Sequence, residues 1–372
     1  MSKRSIVFFI VLFIACFSTL AGVDVRIDDS SKLGINVDIR SFYLNDQRIQ
    51  WSGQEATFGV EGLLNSTLER RFKNGIVEVS GEFELNQPFD DNILVDEFRE
   101  KYLQNFTVDP FKISQLYIGI RLKNFEIFFG KKDSPFGSDH SVFLSNSRYD
   151  HPFIRTEAIL WQETGLFFKY SSGIFTADLA IVNGGSEQDT NSSKAGIVRI
   201  GLGSKKFSAG ISAKFQDGIG SEQQKVFKNH IGFDAKICTG NFTISGELIY
   251  DEYGFRKEFD SDNIFWKRSF YYRDIFFKFE TPVTGFGGYF NINYSRKKLL
   301  MNINYGEFHP EEIGNPLHDT PVKRLIAKVI VELVPGFDIF LVGIGENERP
   351  KEPVFSGASS YAFSFGLRFR IK

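Results

Sequence analysis

The chain ends with the stretch YAFSFGLRFRIK, residues 361–372, in which bulky apolar residues alternate with small or basic ones. Because successive side chains of a β-strand point to opposite faces, this stretch predicts a strand with one apolar face and one basic face. A closed barrel in a bacterial outer membrane needs such strands, with lipid on one side and water on the other. The apolar face comprises Tyr361, Phe363, Phe365, Leu367, Phe369 and Ile371, and the other face includes Arg368, Arg370 and Lys372.

The N-terminus has the layout of a secretory signal. Two cations precede an apolar run, residues 6–17, and the small residues around Ala21 fit a cleavage site. We therefore predict a signal peptide over residues 1–21 and a mature chain from about Gly22. A short transmembrane anchor is one alternative, although the run is shorter than the roughly 20 residues that a spanning helix needs. Lipoprotein processing at Cys16 is the other.

The composition of the mature chain narrows the class of protein. After the signal, no apolar run reaches the roughly 18 residues of a transmembrane helix. The full chain has 42 Phe and 13 Tyr, of which only four Phe lie in residues 1–21, and these aromatics suit strands and the aromatic girdles of a membrane barrel. Residues 1–21 carry two positive charges and no negative ones, so cleavage moves the net charge from -2 to -4. This charge lacks the basic surplus of a nucleic-acid-binding protein. Only Cys238 survives cleavage, which excludes an internal disulfide framework.

Alternating segments recur along the mature chain, from 33–39 to 337–341. A soluble antiparallel sandwich has the same period with its apolar face inward, so the alternation alone does not decide between the two folds. The connections favour the barrel, because long polar connections take turns with short ones, as in barrels with loops at one rim and turns at the other. The long ones are 44–55, 86–110, 131–163, 184–194, 251–268, 306–321 and 345–358, and the short ones include 123–124, 171–173, 203–206, 238–240, 281–285 and 335–336.

The strand count needs one interpretation. A direct count gives about seventeen segments, whereas bacterial single-chain barrels have even numbers. We interpret 286–305, which resembles a hairpin turning at 295–298, as one long bulged strand because its apolar phase switches there. This gives about sixteen strands, with about fourteen or eighteen strands as the alternatives. The predicted fold is all-β: a transmembrane antiparallel barrel over residues 22–372, a single domain with a water-filled lumen.

Two motifs lie in the first half of the barrel. The first, FGKKDSPFG at 129–137, precedes a Ser-rich stretch and Arg155, and the second, IVNGG at 181–185, precedes Lys194 and Arg199. With Gly165 between them, they resemble the phosphate-selective porin O and P family. The resemblance implies a sixteen-stranded trimeric channel of the outer membrane, with a loop folded into the lumen.

The charged residues of this loop, 131–160, are the predicted constriction, because charges at the narrowest point of a pore set its selectivity. They are Lys131, Lys132, Asp139, Arg148, Asp150 and Arg155, with His140 beside them. The basic residues predicted to face the lumen from the strands are Arg121, Lys123, Arg199, Lys236, Arg324, Lys328, Arg368 and Arg370.

Phosphate selectivity does not follow from the resemblance. A desolvated anion needs a continuous ladder of Arg and Lys, whereas the inward-facing positions of this chain also carry many carboxylates. These acidic residues are Glu78, Glu82, Glu84, Asp178, Asp234, Glu247, Asp274 and Glu332. A general porin with weak ion preference is the better prediction.

The sequence thus predicts an outer-membrane porin for passive diffusion of small hydrophilic solutes or anions, with no cofactor, metal or nucleic-acid partner. The expected partners are outer-membrane lipid, further copies in a homotrimer and the barrel-assembly machinery. The last strand resembles the closing strands that this machinery reads, although Lys372 replaces a terminal aromatic. The alternatives are a non-conducting adhesin or scaffold, a secreted β-sandwich, and a barrel lipase, for which no Ser-His pattern is found.

Overall fold

A computed structural model describes most of residues 22–372. The described residues are 25–28, 30–46, 56–87, 111–137, 162–183, 194–221, 224–255, 265–270, 273–278, 283–312, 322–348 and 358–371. The predicted signal peptide, 1–21, lies outside them and stays a prediction.

All regular structure in the described residues is β-strand. The strands are β1 Val25–Arg26, β2 Ser31–Asp46, β3 Ala56–Phe72, β4 Gly75–Gln87, β5 Phe111–Leu122, β6 Phe125–Asp133, β7 Gln162–Ser172, β8 Phe175–Val182, β9 Ala195–Gly203, β10 Phe207–Ser221, β11 Gln224–Thr239, β12 Phe242–Phe255, β13 Phe265–Phe270, β14 Arg273–Lys278, β15 Val283–Arg296, β16 Leu299–Glu312, β17 Val322–Val334, β18 Phe337–Glu348 and β19 Ala358–Ile371.

Sixteen of these strands, β2–β12 and β15–β19, form a closed antiparallel barrel. Each strand pairs with its neighbour in the chain, and β19 closes the wall on β2 with Arg368 opposite Arg40. Closure matters because it leaves the wall without an open strand edge, whose unpaired backbone groups would be costly in the membrane. The short β1 only extends the edge of β2. The prediction of an all-β barrel with about 16 strands is confirmed.

The predicted strand map contains two errors that cancel in the count. Segment 286–305 is not one bulged strand: β15 and β16 form a tight hairpin, and Lys297 in its turn has a φ of 51°. The predicted barrel strand around Asp274 is wrong as well, because β14 pairs only with β13 in a separate two-stranded sheet. The predicted short connection at 281–285 is therefore wrong: a long connection, 256–282, ends there, and residues 283–285 already belong to β15.

The barrel has two distinct rims. Connections of two or three residues join β3 to β4, β5 to β6, β7 to β8, β9 to β10, β11 to β12, β15 to β16 and β17 to β18 at one end, here called the short-turn rim. Most connections at the other end, the long-loop rim, are longer; the exception is that between β10 and β11. In outer-membrane barrels the short turns are periplasmic.

The two faces of the wall differ as the final stretch predicts. On β19, Tyr361 and Phe365 are 58% and 50% exposed on the outside, whereas Ala362 and Ser364 point inward and are buried. The same outward alternation recurs on β5 with Leu116, Ile118 and Ile120 and on most other strands. Large exposed apolar side chains on the outside and polar ones inside are the arrangement of a barrel that lipid surrounds.

Candidate functional site

Inward-facing charges form a row around the lumen near the short-turn rim. The register places Arg121 opposite Glu126, Glu126 opposite Lys169, Lys169 opposite Asp178, and Asp178 opposite Arg199. Neighbours on β5 to β9 thus carry opposite charges, and opposite charges on adjacent strands attract. We call these five residues the charge belt.

The two ends of the charge belt are tied to other side chains. At one end the Arg121 guanidinium pairs with Glu78, and its Nη1 lies 3.6 Å from Glu69 Oε1. At the other end Arg199 donates to both carboxylate oxygens of Asp234, at 2.7 and 3.1 Å. The middle residues, Glu126, Lys169 and Asp178, make no ion pair or side-chain hydrogen bond within the described part of the chain. Their charged groups face the lumen.

Two glycines hold the Arg199 guanidinium flat against the wall. A Cβ on Gly210 would lie 2.5 Å from Arg199 Nη2, and one on Gly201 would lie 2.9 Å from Nη1. Real Cβ contacts do not come this close, so any other residue at either position would require the guanidinium to move. Glycine at these two positions therefore fixes where the charge sits.

A second group of charges bridges the seam at which the first and last barrel strands meet. Asp38 on β2 accepts from Arg368 Nε on β19 at 3.0 Å and from Arg40 Nη2 at 3.1 Å. Arg40 also reaches Glu61 on β3 at 3.4 Å. Arg370 pairs with Asp338 on β18 at 2.8 Å. The basic face of the final strand is therefore neutralised by neighbouring carboxylates and does not present an uncompensated positive field.

The inner wall between β12 and β16 has a polar but uncharged region that contains four asparagines, two on β15 and two on β16. Asn302 Nδ2 donates to Asn293 Oδ1 at 2.7 Å, and Asn304 donates to Asn291 across the same pair of strands. Ser245 on β12 lies opposite Asn291. Amides satisfy one another across a hairpin without a net charge. All four asparagine side chains are buried, so this polar part of the inner wall does not line an open passage.

The segment after β6 leaves the wall and crosses the lumen. Gly137 N donates to Ser212 Oγ on β10 at 3.0 Å, although β7, β8 and β9 lie between β6 and β10 in the barrel. Phe136 is buried against Gly232 on β11 and meets the ring of His230 edge-on at 6.1 Å. Gly137 has a φ of 76°, and a Cβ there would lie 1.7 Å from Glu247 Oε1. Residues 134–137 therefore narrow the lumen, as the predicted inward loop requires.

Several inward side chains are closed off from water. Lys214 Nζ on β10 donates to both oxygens of Glu163 on β7, at 2.8 and 2.9 Å, and both side chains are fully buried. Across the barrel, Ile326, Phe340 and Val342 point inward and are also buried. The five residues of the charge belt, by contrast, are partly accessible.

A cavity of about 370 Å³ opens beside the charge belt. Arg199, Asp234 and Lys236 supply charges of both signs, and Thr176, Ser204 and Ser208 supply hydroxyl groups. Gly137 of the inward segment also lines it. Its size suits a small molecule, because ligand cavities in proteins hold about 300–1,000 Å³.

The predicted lumen residues occupy different environments. Arg121, Arg199, Lys236, Arg368 and Arg370 face the lumen side of the wall and are partly accessible. Arg324 and Lys328 also point inward, but both are buried, so they do not line an open passage. Lys123 lies in the exposed turn after β5 rather than on the wall.

The predicted constriction residues are only partly described. Lys131 and Lys132 belong to β6, not to a loop. Lys131 shares the outward face with Ile127 and Phe129, and its Nζ donates to the carbonyl of Ile113, so its assignment to the constriction is wrong. Lys132 points inward, with Nζ 4.8 Å from the ring centres of Tyr117 and Phe128. Asp139, Arg148, Asp150 and Arg155, with His140, lie outside the described residues.

Sequence reasoning missed the residues that hold the inward segment. Phe136 and Gly137 belong to the motif at 129–137. Their contact partners, Ser212, Gly232 and Glu247, follow 75 or more positions later in the sequence. The only local sign is that Ser212, Gly232 and Glu247 occupy inward positions of the apolar–polar alternation on their strands. The Lys214–Glu163 pair gave no sign either, since strand periodicity does not specify pairs that skip two strands.

Other kinds of site find no support in the described chain. No group of three or more His, Cys, Asp or Glu residues there could hold a metal ion. A search of the same residues for helices finds none that is both long and apolar enough to cross a membrane.

The chain is similar in fold to several solved outer-membrane proteins. No protein-family model and no curated protein sequence matches it. The outer membrane channel DcaP of Acinetobacter baumannii superimposes with a TM-score of 0.64 at 10% identity, covering 94% of this chain and 99% of that one. An anion-selective porin from Comamonas acidovorans gives 0.63 at 9% identity, covering 91% and 99%. A trimer form of OmpT from Vibrio cholerae gives 0.62 at 11% identity, covering 92% and 100%. These likenesses show a porin fold, and they do not confirm the phosphate-selective family.

Proposed function

We propose that this barrel is a porin of the bacterial outer membrane through which small hydrophilic solutes and ions diffuse passively. The observation that carries the proposal is the segment 134–137, which crosses the lumen and rests on Ser212, Gly232 and Glu247. A segment that narrows the lumen beside accessible charges is what a size-limiting channel needs. The porin folds of the similar structures support the same conclusion.

Several finer parts of the proposal rest on the sequence. Export by the signal at residues 1–21, insertion by the barrel-assembly machinery and a homotrimer belong to it, and the trimer form of one similar structure supports the last. Asp139, Arg148, Asp150 and Arg155 complete the proposed constriction together with Lys132. No covalent step and no cofactor belongs to the proposed transport, which follows the solute gradient.

Planar-bilayer recording tests the proposal. The folded protein should add stepwise, ohmic conductance in KCl. A cysteine replacing Lys169, in a Cys238→Ser background, should make that conductance sensitive to a bulky charged thiol reagent, because the side chain faces the lumen. A cysteine replacing Lys131, on the outward face of β6, is the matched control and should leave the current unchanged.

A second candidate is a non-conducting barrel that acts as adhesin or scaffold. One observation favours it: Ile326, Phe340 and Val342 on the inner wall are buried, so that part of the lumen is not open to water. The same recording separates the two functions. Folded, inserted protein without conductance would exclude the porin and leave the scaffold.

A further inference from the structure

We propose that the middle of the charge belt, together with the adjoining cavity, is a contact site for small zwitterionic solutes such as free amino acids. The inference rests on the proposed porin function and names a class of solute for it. Its basis is the order of the charges on the wall, which run negative, positive, negative at Glu126, Lys169 and Asp178 on adjacent strands.

The three middle residues are available to a solute. They make no ion pair or side-chain hydrogen bond with each other or with the rest of the described wall, although adjacent strands lie only about 4.8 Å apart. Arg121 and Arg199, by contrast, are held by carboxylates of their own. The free middle and the occupied ends distinguish this sector from a uniformly paired wall.

The alternating order favours zwitterions over simple ions. An anion that approaches Lys169 meets Glu126 and Asp178 at similar distances, so attraction and repulsion largely cancel. An amino acid carries both charges on neighbouring atoms. It can turn its carboxylate toward Lys169 and its ammonium toward either neighbour, and both contacts are then favourable.

The cavity continues the same pattern. Thr176 lines it and shares the inner face of β8 with Asp178, two residues further along, so the cavity adjoins the middle of the belt. Arg199, Asp234 and Lys236 repeat the alternation of sign, and three hydroxyl groups add neutral donors and acceptors. A volume of about 370 Å³ accommodates a free amino acid.

Proteoliposome swelling tests the inference with two solutes of nearly equal size, zwitterionic L-glutamine and neutral L-arabinose. The wild-type rate should be about two- to fivefold higher for glutamine, the range that contacts between solvated charges support. In the double variant Lys169→Met/Asp178→Asn, which keeps the net charge, the ratio should fall to about one while the arabinose rate stays unchanged. The matched control, Lys131→Met/Asp133→Asn on the outward face of β6, should retain the wild-type ratio.

The possible outcomes separate this inference from the proposed function. Equal rates for the two solutes in a protein that conducts KCl would overturn the zwitterion site and leave the porin standing. A preference that survives Lys169→Met/Asp178→Asn would also overturn it. Should that variant fail to insert, Glu126→Gln/Lys169→Met removes the same alternation and decides the question. Absence of both swelling and KCl conductance in the folded wild type would exclude the porin function itself.

Discussion

At the scale of single residues, the contact between Phe136 and Gly232 decides where the inward segment lies. The ring occupies the space that a side chain on β11 would fill, since a Cβ on Gly232 would lie 2.9 Å from two ring atoms. The adjacent backbone is fixed by the bond from Gly137 N to Ser212 Oγ. Position 232 therefore sets the distance between the segment and the wall.

Gly232→Ala should displace Phe136 toward the lumen and lower the single-channel conductance. Overpacking of this kind costs about 1–3 kcal/mol when the neighbours cannot move, so the variant should also unfold at a lower urea concentration. The matched control is Gly343→Ala on β18, where an added Cβ meets nothing within 4 Å. Equal conductance and stability in both variants would contradict an anchoring role for Phe136.

At the scale of strands, periodicity predicted the wall well and the hairpins less well. Alternation located most strands, because one side of the wall faces lipid and the other faces the lumen. It failed at 286–305, since the apolar phase change there arises from a tight turn around Lys297 and not from a bulge. It failed again at β14, because an alternating hairpin in a long connection looks the same in sequence as a wall strand.

The seam between β2 and β19 brings together Asp38 and Arg368, which are 330 positions apart in the sequence. Asp38 accepts hydrogen bonds from both Arg368 and Arg40. Asp38→Asn should lower the free energy of unfolding by about 1–3 kcal/mol, because two largely buried guanidinium groups lose their shared carboxylate. The shift from folded to unfolded mobility in urea-titrated gels measures this change. Asp28→Asn is the control and should unfold like the wild type, because Asp28 lies outside the wall and its exposed carboxylate accepts from Ser30 within its own turn.

At the scale of the whole molecule, the lumen carries both charges in ordered pairs. The sequence predicted a mixed wall but not its order, because the order depends on which strands are neighbours and in which register. Arg199 with Asp234, Arg121 with Glu78, and Arg368 with Asp38 place three of the inward arginines beside carboxylates. Such pairing cancels the long-range field while leaving local charges for contact with a solute.

This pairing predicts that the wild-type channel hardly distinguishes potassium from chloride, so its reversal potential in a KCl gradient should be close to zero. Asp234→Asn should remove the ion-pair partner of Arg199 and raise the chloride-to-potassium permeability ratio to about two, because the loss of one carboxylate beside a narrow path changes the local field. Asp133→Asn alters the net charge equally on the outward face of β6 and should leave the ratio unchanged. A strong chloride preference in the wild type would contradict the paired wall and favour the phosphate-type selectivity that the sequence motifs resemble.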